Sequence, residues 1–200
     1  MKKILESNKA EIRSENVLDV GPTINMPLTS VFVTSETAVC IDISAAGIKK
    51  TKESTPEYEC ILANCEVLPF KDEKFDFLYA GQVIEHLHHP QEFLQEAYRV
   101  LQPNGFLLID TPNSNVTRII DVLMQIFFRR KLGPGDHVRV FSHAEMRKAL
   151  TAQGFNILGT YGLYLPLTLF LPIPYLIHIA MTLGYKVPRA SFLIYFLAQK

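Results

Sequence analysis

The chain has 200 residues, with 20 Lys and Arg balanced by 20 Asp and Glu. That is the size of one ordinary domain, able to bury a core without disulfides or metals, and it lacks the broad basic field that draws proteins to nucleic acid. Three cysteines, Cys40, Cys60 and Cys65, are odd in number and show no zinc or redox spacing, so buried thiols and no metal site are expected.

Met1 to Asn16 is charged and has no apolar core leading to a small-residue cleavage site. It does not read as a secretory signal, and a cytoplasmic location is expected. Residues 16–21 (NVLDVG) and 38–43 (AVCIDI) are short apolar runs that read as buried parallel strands. Between them, residues 26–36 (MPLTSVFVTSE) carry Pro27 and a β-branched run, so the helix that should join these strands is expected to be short or missing. The polar stretch Lys49 to Glu59 reads as a mobile loop.

Residues 75–80 and 106–110 are further strand candidates. Between them, residues 90–101 place Phe93, Leu94, Ala97, Val100 and Leu101 on one helical face, and Pro103, Asn104 and Gly105 are expected to stop that helix and turn the chain into the next strand. Val116 to Phe128 is an apolar helix candidate followed by Arg129, Arg130 and Lys131, a form that lies on anionic membrane surfaces. Ser142 to Gly154 opens on a capping-box pair, Ser142 and Glu145, and closes on glycine.

Residues 155–160 and 191–198 read as strands on either side of Tyr161 to Leu183, a stretch with no Asp, Glu, Lys or Arg. It is long enough to span a bilayer, but Pro166, Pro172, Pro174 and His178 interrupt it, so a lid or interfacial patch is expected. Ile119, Ile120, Leu123, Ile126, Phe127, Phe128, Leu165, Phe170, Leu171 and Ile177 are among the apolar residues of these two excursions, about 116–131 and 161–188. They suit an apolar or lipid-linked ligand and peripheral membrane contact, and equally a roof over the core or a dimer interface. Strands alternating with helices indicate an open, mostly parallel sheet in a single domain.

In such a sheet a ligand sits beyond the carboxyl ends of the strands, where strand order reverses. Gly21 ends the first strand and permits a tight turn and close backbone approach. Asp42 ends the second, where a carboxylate can accept both ribose hydroxyls. A turn glycine and a solvated aspartate account for the same pair.

Residues 65–113 (CEVLPFKDEKFDFLYAGQVIEHLHHPQEFLQEAYRVLQPNGFLLIDTPN) contain, in order, LPF, FD, VIEHL, RVL, PNG and PN. This run resembles the central signature of small class I S-adenosylmethionine-dependent methyltransferases, and Ser191 to Lys200 resembles their closing strand. The resemblance implies a three-layer, Rossmann-like α/β fold, a mostly parallel sheet with an antiparallel last strand, S-adenosylmethionine as cofactor, and methyl transfer to a small acceptor. Asp19 and Gly21 fall in the family's first cofactor motif. Asp42 would hold the ribose, Asn64 and Cys65 would lie beside the adenine, with Asn64 where the family usually has aspartate, and Gln82 would neighbour the methionine part. Glu85, His86 and His137 are the candidates for a general base, needed only where the acceptor must lose a proton.

One departure stands out. After Gly21 the family expects further glycines, but Pro22, Thr23, Ile24 and Asn25 follow, and proline has no amide hydrogen for a ligand. A catalytically silent binding domain is therefore a second reading. A nicotinamide-dependent oxidoreductase would require a fuller glycine fingerprint.

Overall fold

The computed structural model describes residues 15–22, 37–128, 137–163 and 185–200. The expected gap-spanning segment 26–36, the basic run 129–131, and Leu165, Phe170, Leu171 and Ile177 lie outside these residues, as do the side chains of Leu123, Ile126, Phe127 and Phe128. The described strands are β1 (Asn16–Val20), β2 (Thr37–Asp42), β3 (Glu59–Leu62), β4 (Phe75–Gly81), β5 (Leu101–Pro112), β6 (Asn156–Leu163) and β7 (Leu193–Gln199). The helices are α1 (Ala45–Ser54), α2 (Pro90–Val100), α3 (Ser114–Phe128) and α4 (His143–Ala152), with single 3₁₀ turns at Ile84–His86 and Pro188–Ala190.

One seven-stranded sheet has the order β3-β2-β1-β4-β5-β7-β6. All described pairings are parallel except those of β7, which runs antiparallel between β5 and β6. The expected three-layer, Rossmann-like architecture with a reversed last strand is therefore present. The chain builds outward from β1 to β3, then returns to the other side of β1 for β4. That reversal puts the topological switch point between β1 and β4, where ligands of open α/β sheets bind.

The central strands read as continuous apolar runs because both their faces are covered. On one face Leu18, Val20, Ile41, Leu78 and Ile109 pack with Phe93 and Leu94 of α2 and Met146 and Leu150 of α4. On the other, Val17, Phe77, Leu108 and Leu197 form a second buried cluster. The predicted capping box is present, with Ser142 Oγ accepting from the Glu145 amide and Glu145 accepting from that of Ser142.

Two local expectations are corrected. Lys49 to Glu59 is no loop, since its first half lies in α1 and its last residue begins β3. Ser44 Oγ caps α1 by accepting from the Gly47 amide at 3.2 Å, and Thr51, Thr55 and Tyr58 are buried anchors. The lysines and Glu53 of α1 are its solvated side, which composition alone cannot separate from a loop. The Pro103–Gly105 turn does not precede β5 either. Leu101 already pairs with Phe75 and Phe106 pairs with Phe77, so residues 102–105 bulge out of the strand, with Asn104 at φ 65° supplying the left-handed residue the bend needs.

The LPF run turns out to be scaffolding. Arg99 of α2 donates to the carbonyls of Phe70 at 2.8 Å and Leu68 at 3.1 Å, and its partner Glu96 accepts from the Leu68 amide at 2.7 Å. Phe70 packs edge-on against Phe75, ring centroids 4.9 Å apart. This lashes the segment before β4 to α2 and fixes the start of that strand.

No helix among the described residues is long and apolar enough to cross a membrane. Within α3, Val116 and Ile120 are buried while Ile119 and Val122 are 57% and 51% exposed.

Candidate active site

A cleft of about 320 Å³ opens at the carboxyl ends of β1, β2, β3 and β4, over the switch point. Gly21, Asp42, Asn64, Cys65, Gln82 and His86 are among its walls, so five of the six cofactor candidates read from the sequence meet in one place. Asp19 does not. It lies inside the sheet, in register between Cys40 and Tyr79, and is buried. Two residues before Gly21, it points to the same side of β1 but one pleat below the cleft.

Gly21 has φ 62°, and its amide donates to the Ile41 carbonyl at 2.8 Å. A Cβ there would come within 2.6 Å of Val83 Cγ2, so side chains are excluded both by conformation and by space. Asp42 Oδ1 accepts from the Ser44 amide at 2.7 Å. Its other oxygen leans over Gly47, where a Cβ would approach to 2.7 Å. The start of α1 thus holds the carboxylate at the rim, and Gly47 leaves room for it. Beside it Ile43, 76% exposed, offers the cleft an apolar surface; the sequence reading took it for the last residue of a strand.

Asn64 Oδ1 accepts from the Glu66 amide at 2.9 Å, leaving one lone pair for a further donor. Glu66 in turn accepts from the His89 amide at 2.8 Å, which ties the loop after β3 to the start of α2. Burial pushes the Cys65 thiol up to about 12, so it stays neutral and forms an apolar wall. Gln82 sits at φ 53°, with its amide donating to the Asp110 carbonyl at 3.0 Å; this strained turn at the end of β4 faces the exposed side chain outward.

The three acid–base candidates also converge, with His86 at the cleft. Their ligating atoms all lie within 4.8 Å of one another, and the His86 and His137 rings are 5.0 Å apart. His86 lines the cleft, whereas Glu85 is fully buried behind it. Glu85 Oε2 accepts from the Thr111 hydroxyl at 3.1 Å, and burial raises its carboxyl above the usual range against that bond and the nearby His86. The Glu85 carbonyl accepts from the amides of Val138 and Arg139 at 2.9 and 3.0 Å, which brings His137 to the cluster from 51 positions away along the chain. No spacing rule could have found that approach. The cysteines hold a similar surprise: Cys40 and Cys60, paired across β2 and β3, have their sulfurs 2.8 Å apart.

Residues 18–109 match the family profile described as a methyltransferase domain. That stretch, a little under half of the chain, is similar to S-adenosylmethionine-dependent methyltransferases. A probable S-adenosylmethionine-dependent methyltransferase of Mycolicibacterium smegmatis is 28% identical over 131 residues, 62% of this chain and 45% of the relative. A demethylmenaquinone methyltransferase of Protochlamydia amoebophila is 31% identical over 98 residues, 49% of this chain and 39% of that protein. The chain thus spans less than half the length of these methyltransferases. The crystal structure of an S-adenosylmethionine-dependent methyltransferase from Archaeoglobus fulgidus superposes with a TM-score of 0.69 at 15% identity, covering 100% of this chain and 92% of that one, which establishes the shared methyltransferase fold.

Proposed function

We propose that this chain binds S-adenosylmethionine in the cleft over β1 to β4 and transfers its methyl group to a small, apolar or lipid-linked acceptor. The observation that carries the reading is the convergence of Gly21, Asp42, Asn64, Cys65 and Gln82 on one cleft at the switch point. The residues fit the nucleoside half of the cofactor. Asp42 would accept the ribose hydroxyls, Asn64 would receive the adenine amino group, and Ile43 and Cys65 would flank the base. Gln82 and His86 stand where the methionine half would lie. When bound, the cofactor supplies a methyl group already activated on a sulfonium, so the protein's task is chiefly to position the acceptor.

The apolar acceptor is supported by the exposed Ile119 and Val122 on α3, the helix that leaves β5 at the same edge of the sheet, and by the name of the Protochlamydia relative, which specifies demethylmenaquinone. Peripheral contact with the inner face of a membrane from the cytoplasm goes with this reading, and no nucleic acid enters it. The test is transfer of labelled methyl from S-adenosylmethionine into cell extract, followed by partition between organic and aqueous phases. Label in the organic phase supports the proposal; label confined to water-soluble products contradicts the acceptor class.

Pro22 favours the silent-domain reading, because it is buried directly after Gly21 and has no N–H to offer the cofactor carboxylate. Cofactor binding separates the two readings.

A further inference from the structure

We propose that Glu85, His86 and His137 form a binding site for one divalent transition-metal ion of the zinc type. Their ligating atoms lie within 4.8 Å of one another, and an ion about 2.0 to 2.2 Å from each would gather them with small side-chain adjustments. The backbone is already arranged for this. Glu85 and His86 share the 3₁₀ turn after β4, and the Val138 and Arg139 amides, bonded to the Glu85 carbonyl, pin the segment that carries His137.

The second observation is electrostatic. Glu85 is fully buried, its Oε2 is held by the Thr111 hydroxyl at 3.1 Å, and its Oε1 has no hydrogen-bond partner among the described residues. A buried carboxylate oxygen left unmatched is costly, and a cation beside it removes that cost. Thr111 meanwhile does what an outer-shell partner does, orienting the carboxylate.

Two imidazoles and one carboxylate suit zinc and its neighbours, whereas magnesium and calcium take oxygen ligands. Three protein ligands leave the ion an open position. His86 also lines the cleft, so that position would serve an oxygen of the methyl acceptor and favour its ionised form; this role rests on the methyltransferase reading, but ion binding itself does not.

The test is calorimetric titration of the chelator-treated full chain with zinc, repeated with His137→Ala and Glu85→Gln. Titration with cobalt, followed by its visible absorption, reports coordination directly. The expected result is one zinc ion per chain, indifferent to excess magnesium, and affinity reduced in each variant by more than the 10- to 100-fold typical of losing an outer-shell partner. Thermal unfolding without metal checks that the variants are folded, and should Glu85→Gln fail this, the half-buried His137 carries the test alone. Absence of zinc binding, magnesium displacing zinc, or undiminished affinity in His137→Ala would overturn the proposal. The titration needs no cofactor, so its failure and that of the methyltransferase reading are separate results.

Discussion

The Tyr79 hydroxyl donates to Asp110 Oδ1 across 2.8 Å inside the sheet, joining β4 to β5. Both residues are buried, and Asp110 Oδ2 has no hydrogen-bond partner among the described residues. Burial, opposed by the Tyr79 bond and reinforced by the charge of Glu85, pushes the Asp110 carboxyl up to about 7. An unfolded aspartate releases its proton near pH 4. From about 4 to about 7 the folded chain therefore holds more protons, and this contribution to stability is lost as pH rises through about 7. Denaturant midpoints should fall across that range for the wild-type chain, and the fall should be shallower in Asp110→Asn. Equal slopes would remove Asp110 as the cause.

Asp42 and Gly47 make a paired prediction. Asp42→Ala should weaken S-adenosylmethionine binding by about 1 to 3 kcal/mol, the value of lost charge-assisted hydrogen bonds. Gly47→Ala should weaken it too, because the new Cβ meets the Asp42 carboxylate at 2.7 Å. Yet alanine suits a helix better than glycine by about 1 kcal/mol, so Gly47→Ala should not unfold more easily. Calorimetry and thermal unfolding on the same samples measure both quantities.

Gly21→Ala should lose on both counts. With φ at 62° and Val83 Cγ2 at 2.6 Å from the added carbon, the substitution should cost about 1 to 3 kcal/mol of stability and push Val83 into the cleft. Chemical denaturation would measure the first effect and cofactor titration the second.

Arg99 holds Leu68, Phe70, Asp72 and Glu96 together, so Arg99→Ala should cost about 2 to 3 kcal/mol near neutral pH. The guanidinium also holds the Glu96 carboxyl below the usual range. That share of the stability is present above the ordinary glutamate value and is lost as pH falls through the lowered one. The gap between wild type and variant should therefore narrow in acid, as urea midpoints measured down the pH scale would record.

The elements that could be read from sequence are those whose own residues specify them. β4 is buried along its whole length and so appears as an unbroken apolar run; α4 announces itself through Ser142, Glu145 and Gly154. α1 could not be read, because its anchors Thr51 and Thr55 are polar residues whose burial depends on the strands behind them. β3 is four residues long and partly exposed, too short for a period to emerge.

The site divides the same way. Gly21 and Asp42 mark strand ends, and strand ends meet whatever the register. Asp19 fell outside the cleft because its depth in the sheet depends on pairing with Cys40 and Tyr79, and the approach of His137 to Glu85 depends on backbone bonds between distant segments. Neither is encoded in local pattern.

The central claim is that the cleft over β1 to β4 binds the cofactor, and the direct test is isothermal titration of the folded, ligand-free chain with S-adenosylmethionine and S-adenosylhomocysteine. The account predicts saturable binding at one site, weakened by Asp42→Ala. No binding of either compound would contradict it and leave a methyltransferase fold that acts without the cofactor.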